Sequence, residues 1–366
     1  MAEHIVVIGA GYAGLAAAKL AARWTDARVT LVNERDRFVE RVRLHQLAAG
    51  QRLRELPLAD LLGGTGVELV VDRVTGIDAD TREVRLTGGA LTYDRLVYAL
   101  GSRTDLGVPG AAEHAHSVST AEDAEALAGA LRTARAVTVV GGGLTGIEAA
   151  AELAESRPDL AVLLVTGGRF GAALSAKGAR HVRAAFDRLG VRVRDHATVA
   201  EVRADGLLLG TGEHLPADAV VWTAGFRVPG LAREAGFEVD AHGRLVVDET
   251  LASVSHPEVV GVGDAAAIRR PDGLELRMAC ATGLPTAQQA VRALASRLAG
   301  REPRPVRFRY VNQCVSLGRR DGLIQFTRAD DSPVERVLTG RAAARYKELV
   351  VRGTVLFERH PALPVG

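Results

Sequence analysis

Two six-residue turns hold the most specific chemistry in the chain: Gly9-Ala10-Gly11-Tyr12-Ala13-Gly14 and Gly141-Gly142-Gly143-Leu144-Thr145-Gly146. Both have the spacing G-x-G-x-x-G. Each follows an apolar β-branched run (Ile5 to Ile8; Val137 to Val140) and precedes an alanine-rich run. That order predicts a buried parallel strand, a tight turn and a helix. In such a unit the first glycine permits the turn, the second lets the backbone approach a pyrophosphate, and the third lets helix pack on strand. The helix N-terminus adds N–H donors and the positive end of a dipole. One copy could be a plain turn. Two copies in the same context predict two bound dinucleotides and an exchange between them.

The elements around the turns repeat as well. Each helix leads to a second strand ("ARVTLVNERDRF"; "LAVLLVTGG"), then an antiparallel excursion, then a closing strand ("LVYALG"; "VVWTAG"). This is an internal duplication with a period of roughly 110 residues. Between the halves, "STAEDAEALAGAL" predicts a helix capped by Ser119 or Thr120. From Gly243 the pattern changes to an apolar strand ending at Gly263-Asp264, a helix from Pro285 to Leu298, strand-like runs and a final helix around Arg341 to Val351. The fold class is α/β. It comprises two Rossmann-like, glutathione-reductase-type dinucleotide-binding domains and a small C-terminal α+β domain. Expected boundaries are 1–115 with 244–300, then 116–243, then 301–366.

Composition narrows the function. The 366 residues carry a formal net charge of +2, which gives no footing for nucleic-acid binding by charge. Nearly all positive charge is arginine; the lysines are Lys19, Lys177 and Lys347. Cys280 and Cys314 are too far apart for a metal-site pair and give no disulfide framework. No metal ligand set is expected. The N-terminus runs directly into a strand, and no apolar run reaches about 18 residues, so a cytoplasmic location is expected.

The segments "VVIGAGYAGLAAA", "LVYALGSRTDLGVPGAAEH", "VVGGGLTGIEAAAEL", "VVWTAGF", "VVGVGDAA" and "GLPTAQQAV" run through most of the chain. In this order and spacing the chain resembles the FAD/NAD(P)-dependent oxidoreductases with two dinucleotide-binding domains. It looks most like type II NADH:quinone dehydrogenases and apoptosis-inducing-factor-like quinone reductases. The resemblance implies FAD on the first turn (Gly9, Gly11, Tyr12, Ala13, Gly14). It implies NADH or NADPH on the second (Gly141, Gly143, Leu144, Thr145, Gly146). By the same resemblance Ala99, Gly101, Arg43 and the late pair Gly263-Asp264 would contact FAD, and Ala224 and Gly225 the nicotinamide half.

Two positions depart from the family pattern. At the end of the second strand, where an acidic residue usually holds the adenosine ribose of FAD, stands Asn33 with Glu34 beside it. In the nicotinamide half Thr166 stands where NADH-preferring members carry a carboxylate, and Arg169 follows. Without that carboxylate a 2′-phosphate is not repelled, and a guanidinium could accept it. NADPH is therefore expected to serve as well as NADH.

Hydride transfer between nicotinamide and flavin is the cofactors' own chemistry. The resemblance places three candidate catalytic residues near it: Glu148 after the second turn, His45 in the flavin-side segment "RVRLHQLAAG", and Gln288 in "GLPTAQQAVRAL". Arg292 replaces that segment's usual last glutamine. The paired or single cysteines that thiol reductases of this architecture need beside the flavin are absent from "FVERVRLHQLAAGQRL". A quinone or similar small organic acceptor is therefore expected. Arg301, Arg304, Arg307, Arg309, Arg319 and Arg320 would instead suit an acidic ferredoxin-type partner. A third reading is a flavin-based redox sensor or scaffold with slow turnover. The final helix predicts membrane contact no stronger than weak and peripheral, and a C-terminal interface domain would suit a homodimer.

Overall fold

The computed structural model describes residues 3–363. Two five-stranded sheets form its centre. The first has the spatial order Val259–Gly261, Arg95–Tyr98, His4–Ile8, Arg28–Asn33, Glu68–Val71, all parallel. The second has the order Arg192–Arg194, Ala161–Val165, Ala136–Val140, Ala219–Trp222, Ala115–His116, again all parallel. In each the strand leading into the glycine turn is central, between the second strand and the closing strand. Ile8 pairs with Val32 and Tyr98, and Val140 pairs with Val165 and Trp222. Both turns therefore leave the carboxyl edge at the point where strand order reverses, the usual crevice for a ligand.

Residues packed on both faces explain why these strands read as continuous apolar runs. Ile5, Val6, Val7 and Ile8 are fully buried. Helix Tyr12–Trp24 follows the first turn and lies between its sheet and helix Cys280–Leu298. Its alanines let two helices approach closely. Helix Leu144–Ser156 follows the second turn. Antiparallel excursions (Val74–Asp78, Glu83–Leu86, Ala90–Thr92; Val199–Arg203, Gly206–Leu209, His214–Pro216) complete the duplication. A short ribbon ties the halves, with Arg103–Thr104 antiparallel to Phe226–Arg227.

Three elements differ from expectation. Helix Cys280–Leu298 starts five residues before Pro285, which lies inside it and forfeits one intrahelical bond. The final helix runs over Gly340–Arg359, beyond Val351. Buried Lys19 donates to the carbonyls of Glu358 (2.7 Å) and Arg359 (2.9 Å) and so caps that helix's end. Strand Ala115–His116 joins the second sheet, pairing with Val220 and Val221. The helix between the halves, Ala121–Ala130, is capped by Thr120, whose hydroxyl accepts from the Asp123 N–H at 3.1 Å. Ser119 instead accepts from the Thr104 N–H.

Candidate functional site

The two turns are built alike. Gly9 and Gly141 have φ of +96° and +122°, a region L side chains rarely adopt. A Cβ on Gly9 would lie 2.5 Å from the Ala99 carbonyl oxygen, and one on Gly141 equally close to the Thr223 hydroxyl. A Cβ on Gly14 would overlap the Gly9 carbonyl oxygen, and one on Gly146 that of Gly141. The third glycine thus seals helix to turn. The second is different: Gly11 and Gly143 face open space. Each is the N-cap of its helix, with no side-chain cap and no acid in the first turn. Free N–H donors, a positive helix end and an open cradle fit a pyrophosphate at both places. Leu144 and Thr145 open the second helix there, both half-buried. Ala13 approaches the positions where Gly263 and Gly283 lack side chains. Tyr12 is buried edge-on against Phe38, with centroids 5.0 Å apart.

The carboxyl edge of the first sheet supplies polar groups around this cradle. Asp264 accepts from the Ser102 hydroxyl at 2.7 Å and lies 3.6 Å from the Arg41 guanidinium. Arg41 also donates to the Ser102 carbonyl at 2.8 Å. Gly101, beside Ser102, is open. Asn33 is occupied within the protein: its Oδ1 accepts from the Ala10 N–H at 2.9 Å and its amide donates to the Arg35 carbonyl at 2.8 Å. It braces the turn rather than reaching outward. Glu34 lies at the strand end among Arg35 (2.6 Å), Arg73 (3.2 Å) and Arg103 (3.3 Å).

At the second turn the corresponding strand end carries no acid. The Thr166 hydroxyl lies where a Cβ on Gly142 would go. Arg169 is exposed, and no ion pair is found for it among the described residues. Ala224 accepts from the Trp222 indole at 2.9 Å, and Gly225 packs against Asp105.

The catalytic candidates separate. Glu148 forms an ion pair with Lys347 from the C-terminal helix, and its Oε1 accepts from the Ser316 N–H at 2.9 Å. His45 does not present its ring to an open cleft. It is 4 % exposed, and its Nε2 lies 3.9 Å from the carboxylate of fully buried Glu152. Burial holds its pKa at about 4 against the pull of Glu148, so the ring is neutral. Gln288 is buried and donates to the carbonyls of Pro361 and Leu363, both at 2.6 Å, so it fastens the end of the chain. Arg43 pairs with Glu40 (3.1 Å) and Glu348 (2.9 Å). Residues two apart in a 3₁₀ turn point in different directions, and it is Arg41 that lies beside Asp264. Arg292 lies over Trp24 at 5.2 Å. The two cysteines are free thiols; burial pushes Cys314 up to about 11, so it carries no thiolate.

The C-terminal helix that brings Lys347 also carries an exposed apolar face. Tyr346, Leu349, Val350 and Leu356 share one side of it, Leu349 being 69 % exposed. The Tyr346 hydroxyl accepts from the Asn312 amide at 3.0 Å. Arg345 and Arg352 flank this face. The expected short, mixed helix is thus a 20-residue amphipathic one.

A family model described as pyridine nucleotide-disulphide oxidoreductase matches residues 3–293. The chain belongs to that family. It is an oxidoreductase using FAD and a nicotinamide electron donor. A "NADH dehydrogenase-like protein" of Mycobacterium tuberculosis is 37 % identical over 315 residues, 78 % of each chain. The "demethylphylloquinone reductase" of Synechocystis is 27 % identical over 347 residues, 88 % of this chain and 86 % of that one. In fold, the sulfide:quinone oxidoreductase of Aquifex aeolicus matches with a TM-score of 0.84 at 22 % identity, covering 98 % of this chain and 92 % of that one. The described part of this pyridine nucleotide-disulphide oxidoreductase has no helix long and apolar enough to cross a membrane.

Proposed function

We propose that this oxidoreductase passes hydride from NADPH or NADH to FAD and then reduces a quinone or similar small apolar acceptor. The observation that carries the reading is the Glu148–Lys347 pair, held beneath a C-terminal helix with an exposed apolar outer face. Gly9, Gly11 and Gly14 with the first helix N-terminus would hold the FAD pyrophosphate, and Asp264, aligned by Ser102 and Arg41, its sugar-alcohol chain. Glu34, rather than Asn33, offers a carboxylate to the adenosine ribose. Gly141, Gly143 and Gly146 would hold the nicotinamide dinucleotide, with Thr166 and Arg169 tolerating a 2′-phosphate.

Bound FAD supplies the hydride chemistry. The chain orients the two dinucleotides and holds a proton at Glu148 and Lys347. Overall, NAD(P)H, one proton and a quinone give NAD(P)⁺ and a quinol, so the protein must deliver one proton from water. In this reading a proton held on Lys347 Nζ or Glu148 passes to an oxygen of the acceptor. The apolar helix face suits an acceptor drawn from an apolar phase, with peripheral contact to a membrane surface. Arg301, Arg304, Arg307 and Arg309 are exposed along an irregular stretch, which keeps a ferredoxin-type partner as the second reading.

The test is anaerobic rapid mixing of the yellow protein with NADPH or NADH, followed by a soluble quinone. Fast bleaching and fast recolouring are expected. Slow bleaching with both nucleotides, or a bleached protein indifferent to quinone, overturns the reading.

A further inference from the structure

Reducing a quinone consumes one proton from solvent, and the Glu148–Lys347 pair that would deliver it is largely covered, with side-chain exposures of 14 % and 11 %. Some route must refill it. One helical turn beyond Glu148, on the same face of helix Leu144–Ser156, stands Glu152. Its carboxylate is fully buried; one oxygen accepts from the Gln51 amide, and the other, Oε2, has no hydrogen-bond partner among the described residues. His45 Nε2, 3.9 Å away, is buried and likewise finds none among them. Helix Leu44–Ala48 holds His45 against helix Leu144–Ser156.

Two buried polar atoms of complementary type, 3.9 Å apart between packed helices and without a hydrogen bond, are an unusual arrangement. A purely structural pair would close to ordinary hydrogen-bond length, because leaving either atom unsatisfied is unfavourable. At their present separation a small rotation of ring or carboxyl makes the bond and another breaks it. Gln51, half-buried in an irregular stretch, lies between Glu152 and solvent. The charged groups facing His45 are Glu148, Lys347, Arg319 and Arg43; those facing Glu152 are Arg319, Glu155 and Lys347. Burial raises Glu152 while the Gln51 hydrogen bond opposes it, and burial lowers His45. Burial thus biases each group towards its neutral form, and a proton shared between them leaves the least net charge buried.

We propose that Glu152 and His45 form a proton relay that carries one proton per turnover from solvent at Gln51 to the Glu148–Lys347 pair. The inference rests on the quinone reading. When the Glu148–Lys347 pair gives its proton to the acceptor oxygen, an O–H bond forms on the product and the pair is left one proton short. His45 takes the proton of Glu152 at Nε2 as that O–H bond breaks, and its Nδ1–H bond breaks as that proton goes to the pair; a tautomeric shift of the proton from Nε2 back to Nδ1 then resets the ring. Glu152 regains its proton from water at Gln51. No electrons move in the relay. It also gives His45 a role behind the site, as a group acting through Glu148.

Three measurements on the holoprotein test this. Glu152→Gln and His45→Gln keep polar contacts but cannot carry the proton. In each, bleaching by NAD(P)H is expected to stay within about two-fold of wild type. Recolouring by a soluble quinone slows about ten-fold or more, with a pH profile displaced from wild type and partial rescue by added imidazole. Independently of turnover, the infrared difference spectrum between oxidised and reduced protein should show a protonated-carboxyl band that Glu152→Gln removes. Unimpaired recolouring in both variants beside a fast wild type overturns the relay alone. So does a parallel fall of both half-reactions with melting temperature, which marks a structural pair, or a carboxyl band that survives Glu152→Gln. A wild type that bleaches but ignores quinone overturns the acceptor reading, and the relay with it.

Discussion

Gly14 and Gly146 occupy the same place in their turns, and in each case a Cβ would overlap the carbonyl oxygen of the first glycine. Gly11 and Gly143 are open in both. The neighbouring strand ends are not alike. Beside the first turn stands Glu34 among three arginines, with Asn33 spent on bracing the Ala10 N–H. Beside the second stand Thr166 and an exposed Arg169, with no acid at the strand end. Backbone geometry therefore makes two equivalent turns, and in the proposed reading side chains one strand away decide which nucleotide each accepts. The same division holds for chemistry. Only the second helix carries a glutamate one turn past its start, and only that glutamate meets a lysine from the C-terminal helix.

Breaking the shared backbone feature should have the largest effect, and should fall differently on the two halves. Gly14→Ala is expected to yield protein without flavin absorbance, or no folded protein, because the overlap is with backbone that cannot yield. Gly146→Ala should remain yellow while its bleaching by both nucleotides falls about 100-fold, the equivalent of about 2.7 kcal/mol. A Gly146→Ala protein that bleaches normally would show that the second cradle is not the nicotinamide site.

Next in size is the side chain peculiar to the second half. Glu148→Gln should slow recolouring by a quinone about 100-fold and leave nucleotide bleaching nearly unchanged, as removal of a proton donor's partner does. Equal losses in both half-reactions would assign Glu148 to nucleotide binding instead.

Making the second strand end acidic sharpens the comparison more gently. Thr166→Asp should lower the ratio of kcat/KM for NADPH over NADH about ten-fold, by repelling a 2′-phosphate and holding the ribose diol. Arg169→Gln should lower it several-fold through NADPH alone. An unchanged ratio in both would place 2′-phosphate recognition elsewhere.

The smallest effect concerns the tie between the halves and the C-terminal helix. Burial works against ionising Glu348, but Arg43 and Arg352 outweigh it and hold its pKa at about 2. Its folded pKa is below its unfolded one, so this stabilisation is complete above the unfolded value and is lost as pH falls towards 2. Glu348→Gln should lower the melting temperature at neutral pH by the equivalent of about 1 kcal/mol or less. The gap from wild type should narrow steadily below about pH 4. A gap independent of pH would mean packing, not charge, ties the helix down.

Much of the frame was legible because its signals are local. Apolar β-branched runs, two glycine turns and alanine-rich helices mark the central strands and the helices that follow them, whereas the place of Glu68–Val71 as a parallel edge strand is set by pairing with Arg28–Asn33. Glu148 stood out by its position after the second turn, and the structure pairs it with Lys347. Arg43, His45 and Gln288 meet partners that their own segments do not announce, for a common reason. Their local sequence fits a cofactor wall, yet which way each points depends on partners distant in sequence: Glu348, Glu152 and the carbonyl of Pro361. Arg41 and Glu152 were hidden the same way, one in a 3₁₀ turn and the other in an alanine-rich helix. Lys347 did leave a trace. A lysine at a half-buried helix position, in a chain whose positive charge is nearly all arginine, suits a place where a compact single donor is wanted.

The most direct test of the account is an anaerobic double-mixing experiment on wild type and Glu148→Gln, with nucleotide in the first mix and soluble quinone in the second. The account predicts equal bleaching in the two proteins and recolouring that is fast in wild type and slow in the variant. Equal recolouring in both, or bleaching that is lost in the variant, would contradict a proton delivered at the Glu148–Lys347 pair.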